Sequence, residues 1–427
     1  MTDVEALAAH SPVRAAAKAV RGVRASYPAA ALLLSLIAGW PLLHPEFLGG
    51  APGALRSLER LLTLEATGAW PLWVDAEGPL PVVLAWALAK AGAGPLIAIK
   101  LVMAIAVVGS ALTMYCIAAD LWGRRGGLLA ALLFVYAPTR LVDLYVRGAV
   151  AEALAWLSPP LLLWAGRRAI LARSARSAGA AGAAAGGGVL FLLLTHLGVA
   201  LLALPAVLLF FAWTLLTARR GEKRGAACGR RAVALSGAAL AGALLSAALL
   251  AHAPRAAAGD PAAFIVFPHQ LLSPRWGIGA PAPGPDDAIS FDLGLAPTTL
   301  TLAAVVLAFW QREGRHAALR LSRRRRAALG FFATLALIAT LLTLPPTLPF
   351  WSALPGAAAL ELPWRLLGVA ALALAAAGGA CGLLSFGRPA GQVALVTFIG
   401  VAILAVFPYL QTPEGIFRPP PPGAPLR

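Results

Sequence analysis

The sequence predicts an all-α protein, a polytopic bundle of transmembrane helices. Three observations carry that expectation. Of the 427 residues 60% are apolar and 12% charged; the mean hydropathy is +0.80; and runs of Ala, Leu and Val long enough to cross a bilayer recur along the chain. Inside a bilayer every backbone N–H and C=O must find a partner within the protein, and helices satisfy that requirement segment by segment. The formal net charge of +17 does not indicate nucleic acid, because the basic residues stand in clusters between apolar runs rather than on a soluble surface. They are topology signals. Membrane lipids are the expected partners, and no nucleic acid. Arginine greatly outnumbers lysine and small residues abound, which fits a GC-rich bacterial genome and close helix packing through Ala and Gly. Cys116, Cys228 and Cys381 lack ligand spacing, so neither a disulfide framework nor a zinc site is expected.

The elements follow from the order of apolar runs and basic clusters. Residues 1–27 place Arg14, Lys18, Arg21 and Arg24 on one helical face and Val13, Ala17, Val20 and Val23 on another, as in an amphipathic basic tail on the cytoplasmic leaflet. The membrane domain is expected over 28–409. Residues 29–48 lead outward, 49–78 form a polar external loop, 79–92 are apolar but short, and 95–119 return to the basic turn WGRRGG. Residues 127–138 climb toward Asp143, and 149–165 descend to a cytoplasmic loop, GRRAILARSARSA. The run 186–217 reads as two short spans meeting in an external hairpin at His196. Residues 232–252 rise, 253–296 form the longest external loop, and 297–311 descend to QREGRHAALRLSRRRR. The last spans are 327–344, 366–385 and 391–409, with an external loop at 345–365 and a Pro-rich external tail, 410–427, whose PPPPGAP run favours an extended, disordered segment. About eleven membrane segments result by this charge rule. Most of the 35 Lys and Arg then fall on the cytoplasmic side, whereas most of the 18 Asp and Glu are external or near the outer face. Carboxylates do little to set orientation, so their bias points to a binding or active surface facing outward.

The stretch DLYVRGAVAEALAW, residues 143–156, puts Asp143, Tyr145, Arg147 and Glu152 between two apolar runs. On one continuous helix Asp143 and Arg147 form an i,i+4 pair, while Tyr145, Glu152 and Trp156 project from roughly the opposite side. Two readings stay open: an interfacial anchor with a Tyr and Trp belt, or a polar cavity that Glu152 shares with other external motifs. His196 reads as a hydrogen-bonded structural histidine or a site residue. Arg365, beside Trp364, either snorkels or grips a lipid phosphate through its planar fork. Arg275 and Trp276 either stack a sugar or pack their own loop. Asp286, Asp287 and Asp292 are expected to be solvated, and the RRRR run at 323–326 to anchor against anionic lipid.

Several of these motifs also carry a resemblance. LYVRGAVAEALAW followed by SPPLLLW, THLGVALLALP around His196, PHQLLSPRWGIG from Pro268, and ELPWRLLGVA around Arg365 resemble, in order, the motifs of bacterial multispanning proteins labelled 6-pyruvoyl-tetrahydropterin synthase-related. The resemblance implies a fold similar to the GT-C class of membrane glycosyltransferases, which transfer sugars from lipid-linked donors at the external face of the inner membrane. It does not imply pterin chemistry, since the six histidines show no close metal-ligand pair. Such enzymes place an acid in the first external loop, where a carboxylate deprotonates the acceptor hydroxyl or holds a metal. Here GGAPGALRSLERLL puts Pro52 and Arg56 where that acid and a following His are expected. Asp75, in WPLWVDAEG, then resembles the family's acid most closely, and is otherwise a solvated loop acid. Asp75 and Glu152 are thus the catalytic candidates, with Tyr145, Arg147, His196, Trp364 and Arg365 as substrate-binding candidates. The implied partner is a lipid-linked sugar. Two function classes remain, a glycosyltransferase and a non-catalytic binder or scaffold of the same fold. No metal ligand set and no cofactor is read from the sequence.

The charge pattern makes one direct prediction. In a variant lacking native cysteines, single cysteines at Ser174 and Ser322 are labelled from the cytoplasmic side and one at Ser273 from outside; the reverse pattern inverts the topology.

Overall fold

The computed structural model describes residues 26–70, 73, 76–172, 174–218, 265–274, 284–286, 290–310, 321–353, 363–384, 388–411 and 415–418, with isolated positions 242, 245 and 277. Among the described residues the chain is helical throughout, and its β pairing is confined to isolated bridges. Four helices are individually long and apolar enough to cross a membrane: Pro95–Trp122 (α4), Ala175–Thr195 (α9), Leu197–Thr217 (α10) and Pro363–Leu383 (α14). Two bent pairs bring the number to six: Arg124–Val135 (α5) with Pro138–Val146 (α6), bent by 52°, and Arg323–Leu341 (α12) with a kinked extension to Ala353 (α13 from Leu348), bent by 80°. Shorter apolar helices cover Ser26–Ala38 (α1), Leu80–Ala93 (α3), Leu295–Phe309 (α11) and Gly391–Leu404 (α15). The chain is a multi-pass membrane protein. Its described spans number four to six, with shorter helices beside them, where about eleven segments were expected from charge pattern; residues 232–252, read as a rising span, lie outside the described residues except for 242 and 245. The basic tail through residue 25 and the PPPPGAP run lie outside them as well.

Several boundaries differ from expectation for local reasons. The supposed polar loop 49–78 contains a helix, Pro52–Thr67 (α2), opened by proline in its first turn and closed by Gly68 at φ 67°. Ala54, Leu58, Leu61 and Leu64 recur at helical spacing and are buried together against the bundle, so Arg56, Arg60 and Glu65 lie off that face. The cytoplasmic loop expected after Arg168 shrinks to a few residues. Ser174 caps α9, accepting a bond from the Ser177 amide at 3.2 Å, and the Ala-rich stretch behind it, of high helix propensity, extends the span back to Ala175. The run 186–217 is therefore the outer half of one full helix and the whole of another. They meet at His196, as expected from the sequence.

α14 lies at the centre, with 89% of its apolar window buried within the protein. Its small residues permit this. A Cβ on Gly368 would come within 2.1 Å of Trp156, and one on Gly379 within 2.8 Å of Ala130, so neighbouring elements pack at backbone distance. Trp122 Nε1 donates to the Ala376 carbonyl at 2.7 Å, fastening the end of α4 to α14. Around this centre α1, α4, α9, α10, α11, α12 and α15 expose Leu33, Ile105, Leu190, Leu209, Leu302, Leu337 and Val396, apolar side chains suited to lipid. α1 is held by two phenols, Tyr136 donating to the Leu34 carbonyl at 2.7 Å and Tyr145 to that of Ala38. The start of the tail is also docked: Arg418 N donates to Phe47 O at 3.0 Å, and Gly50 N to Ile416 O at 2.8 Å.

Between α6 and the short helix Val150–Ala155 (α7) the chain reverses at Gly148, whose φ of 58° is left-handed. A Cβ there would stand 2.8 Å from those of Ala51 and Ala54. Gly148→Ala should therefore destabilise the protein by about 1–3 kcal/mol, lowering the thermal midpoint in detergent. Gly68→Ala, at a similar φ but with no neighbour within 4 Å, supplies the comparison and should cost roughly 1 kcal/mol.

Candidate functional site

The segment that starts as α6 does not continue as one helix. It widens into a π turn at Val142–Val146, where the Arg147 amide bonds back to Val142 O at 3.0 Å, and then turns at Gly148. The expectation of an uninterrupted helix, with Glu152 opposite Arg147, is thereby corrected. The reversal returns Glu152 to the same guanidinium: Arg147 Nη1 contacts Asp143 Oδ1 and lies 2.9 Å from Glu152 Oε2. Arg365, entering α14, reaches the same Glu152 oxygen at 3.4 Å. The Arg147 guanidinium also sits 4.4 Å from the centroid of the Trp364 ring, which packs against Phe291. Glu152 is 2% exposed. An isolated carboxylate at that depth would be very costly, and two arginines offset the cost.

A second set of groups joins this one. Arg56 and Arg60, one turn apart on α2, flank Glu77 at 3.6 and 3.3 Å, and Arg60 lies 3.5 Å from the Gly78 carbonyl. The strand-like stretch Ala76–Gly78 pairs with the break between α9 and α10, Gly78 N donating to Thr195 O and Leu197 N to Ala76 O, each at 2.8 Å. Only glycine permits it, since a Cβ on Gly78 would stand 2.1 Å from the Leu194 carbonyl. His196 closes α9 and opens α10, its Nδ1 accepting from the Val199 amide at 3.2 Å. Its ring and the Arg365 guanidinium both lie over Gly198, where a Cβ would meet them at 3.1 and 3.4 Å. The Gly53 amide donates to the Arg147 carbonyl at 2.9 Å, tying the start of α2 to the ion cluster. Arg140, buried beneath, donates to the Ala153 carbonyl at 3.0 Å and lies over the Phe134 ring.

Five arginines (Arg56, Arg60, Arg140, Arg147 and Arg365) thus surround three carboxylates, Glu77, Asp143 and Glu152. Among the described residues arginines outnumber carboxylates here, and the low dielectric of the bundle strengthens their field. Such a site attracts an anion. A cavity of about 10 Å³ lies beneath, lined by Thr139, Asp143, Glu152, Trp364 and Arg365 among others. Thr139 Oγ1 and Trp364 Nε1 are buried there without a hydrogen-bond partner. Among the described residues no three His, Cys, Asp or Glu side chains gather as metal ligands.

Of the site candidates, Arg147, Glu152, Trp364, Arg365 and His196 come together. Tyr145 does not join them; it is fully buried, its hydroxyl spent on the Ala38 carbonyl. Asp75, Arg275, Trp276 and Asp287 lie outside the described residues. Asp292, expected to be solvated, is instead partly buried, accepting from the Gly294 amide at 2.9 Å and from Tyr409 at 3.2 Å, and burial raises its pKa. Arg60, Glu77 and Arg140 were not singled out as site residues; only the i,i+4 spacing of Arg56 and Arg60 hints at them in the sequence.

No protein-family model and no curated protein matches the chain. Among solved structures it is similar to the crystal structure of ArnT from Cupriavidus metallidurans in the apo state, at 13% identity over 85% of this chain and 79% of that one, with a TM-score of 0.37. A superposition that loose decides nothing about chemistry.

Burial raises the Glu77 pKa against the pull of Arg56 and Arg60. The folded state then holds this proton more tightly than the unfolded one, so stability falls as pH rises from the ordinary carboxylate value through the raised one. Relative to wild type, Glu77→Gln should gain thermal stability as the pH rises above the ordinary carboxylate range. A relative loss there would mean that the two ion pairs outweigh burial.

Proposed function

We propose that this chain is a GT-C-type glycosyltransferase of the bacterial inner membrane, taking a sugar from a polyprenyl-phosphate donor at the external face for envelope glycans. The observation that carries the proposal is the excess of arginine at the junction of α2, α7, α10 and α14. The order of the four sequence motifs supports it. Arginine suits phosphate because its planar fork donates two parallel hydrogen bonds.

In this reading Arg147 and Arg365 face the donor phosphate, and Arg56, with 48% of its side chain exposed, is the entry contact. Glu152 sets the two inner guanidinium groups. His196 and Trp364 wall the site, while Tyr145 positions α1. Asp75 takes the proton of the acceptor hydroxyl, whose oxygen attacks the anomeric carbon. The carbon–oxygen bond to phosphate breaks, and polyprenyl phosphate departs with the added negative charge. Arginines already in place stabilise that charge as it develops.

A second reading has its own support. Glu77, Asp143 and Glu152 are each engaged by arginine, and Pro52 and Arg56 stand where a loop acid is expected. A site so arranged holds a lipid-linked glycan without turning it over, as a binder or scaffold does.

One pair of variants tests both. Arg56→Gln should weaken binding of a polyprenyl-phosphate sugar by about three- to tenfold, the range for one solvent-screened charged contact, with no change in thermal midpoint. Asp75→Asn should abolish transfer while leaving donor binding intact. Equal loss of binding in Asp75→Asn places that carboxylate in the donor pocket instead. Binding without transfer in the wild type leaves the binder reading, and undiminished binding in Arg56→Gln overturns the phosphate site.

A further inference from the structure

A second cavity lies away from this site. It has a volume of about 280 Å³ and lies among the ends of α4, α8 (Ser158–Ile170) and α10 and the start of α12. Its walls include Arg167, Arg324, Arg325, Trp213, Thr214 and Ser322. From His196 to Thr214 along α10 is eighteen residues, about 27 Å at 1.5 Å per residue, close to the thickness of a bilayer core. The cavity therefore opens at the opposite membrane face from the arginine cluster described above, the face that the basic segments assign to the cytoplasm.

Its electrostatics favour an anion. Asp120, the acid in the wall, is already engaged by two arginines, Arg167 at 3.3 Å and Arg168 at 2.7 Å. Arg325 Nε donates to the Leu121 carbonyl at 3.0 Å, which fixes the guanidinium against the end of α4. Arg324 and Arg325 also line the cavity at the start of α12, where the helix dipole adds positive potential.

An independent observation points to a ligand. Thr214 is 3% exposed, lines the cavity, and its Oγ1 has no hydrogen-bond partner. Thr113, Thr195, Thr217 and Thr299 each donate to the carbonyl four residues back, whereas Thr214, like Thr139 and Thr298, does not. A buried hydroxyl without a partner costs free energy unless a ligand supplies one. We propose that this cavity binds a phosphate group, with Arg324 and Arg325 as its charge partners and Thr214 as a hydroxyl donor. At about 280 Å³ the space is near the lower end of small-molecule pockets, roughly 300–1,000 Å³, which suits a glycerophosphate headgroup. Trp213 and Ala328 provide an apolar wall along which its acyl chain leaves for the bilayer.

The test uses the full chain in a neutral detergent, with binding measured by native mass spectrometry and by thermal shift. The probes are dioleoyl phosphatidylglycerol, dioleoyl phosphatidylcholine and inorganic phosphate. Phosphatidylglycerol should bind saturably and raise the midpoint, and Arg324→Gln and Thr214→Val should each weaken it by about tenfold. Thr214→Val is close to isosteric and keeps the test valid should the arginine variant fold poorly. Competition by millimolar inorganic phosphate, or its binding alone with the same sensitivity to both variants, assigns the site to free phosphate rather than lipid. Phosphatidylcholine binding as well as phosphatidylglycerol, phosphatidylglycerol affinity unchanged in Thr214→Val, or no binding of either anion overturns the proposal.

Discussion

The Arg147 guanidinium, shared by Asp143 and Glu152 deep in an apolar bundle, is the interaction on which its end of the structure depends. Each charge would be prohibitive there alone, and removing one member of such a set costs about 3–5 kcal/mol because its partners stay buried. The cluster therefore dictates chain path. It requires the π turn and the left-handed Gly148 that return Glu152 to Arg147, and it requires α14 to begin where Arg365 can close the set. Through the Arg147 carbonyl it also fixes the start of α2, and through Trp364 the loop bearing Phe291.

The two ends of the bundle solve different problems with the same residue type. At one end arginines are balanced against buried carboxylates and held by aromatic rings and backbone carbonyls. At the other, Arg167 and Arg168 share Asp120, while the run Arg323–Arg326 opens α12. Between them α14 is enclosed by protein, and the side chains outside it are nearly all apolar. Among the described residues the ion pairs thus lie toward the two ends of the bundle, and the small residues of α14 allow tight packing between them.

The membrane class, the break at His196 and two of the five clustered arginines, Arg147 and Arg365, were legible in the sequence, because hydropathy and charge are local properties. What was not legible depended on backbone irregularity or on partners distant in the chain. Helical spacing put Glu152 opposite Arg147, and only the turn at Gly148 reverses that. α2 hid within a loop because its polar residues outnumber the four apolar positions that bury it. In the sequence Glu77 is one acid among several in the stretch 49–78; its pairing with the His196 segment joins residues more than a hundred positions apart, which no spacing rule reports.

The docking of Arg418 onto Phe47 also bears on assembly. Gly50 packs so closely on Gly415 that an added methyl group would stand 2.2 Å from its carbonyl, so the two segments interlock rather than merely touch. Ribosomes deliver them hundreds of residues apart, and no span made in between can complete that seam. During synthesis the earliest described helix waits in the bilayer with that end unfastened until the segment around Gly415 has been made. Contacts of such long range are slow to form, so this seam closes late in folding.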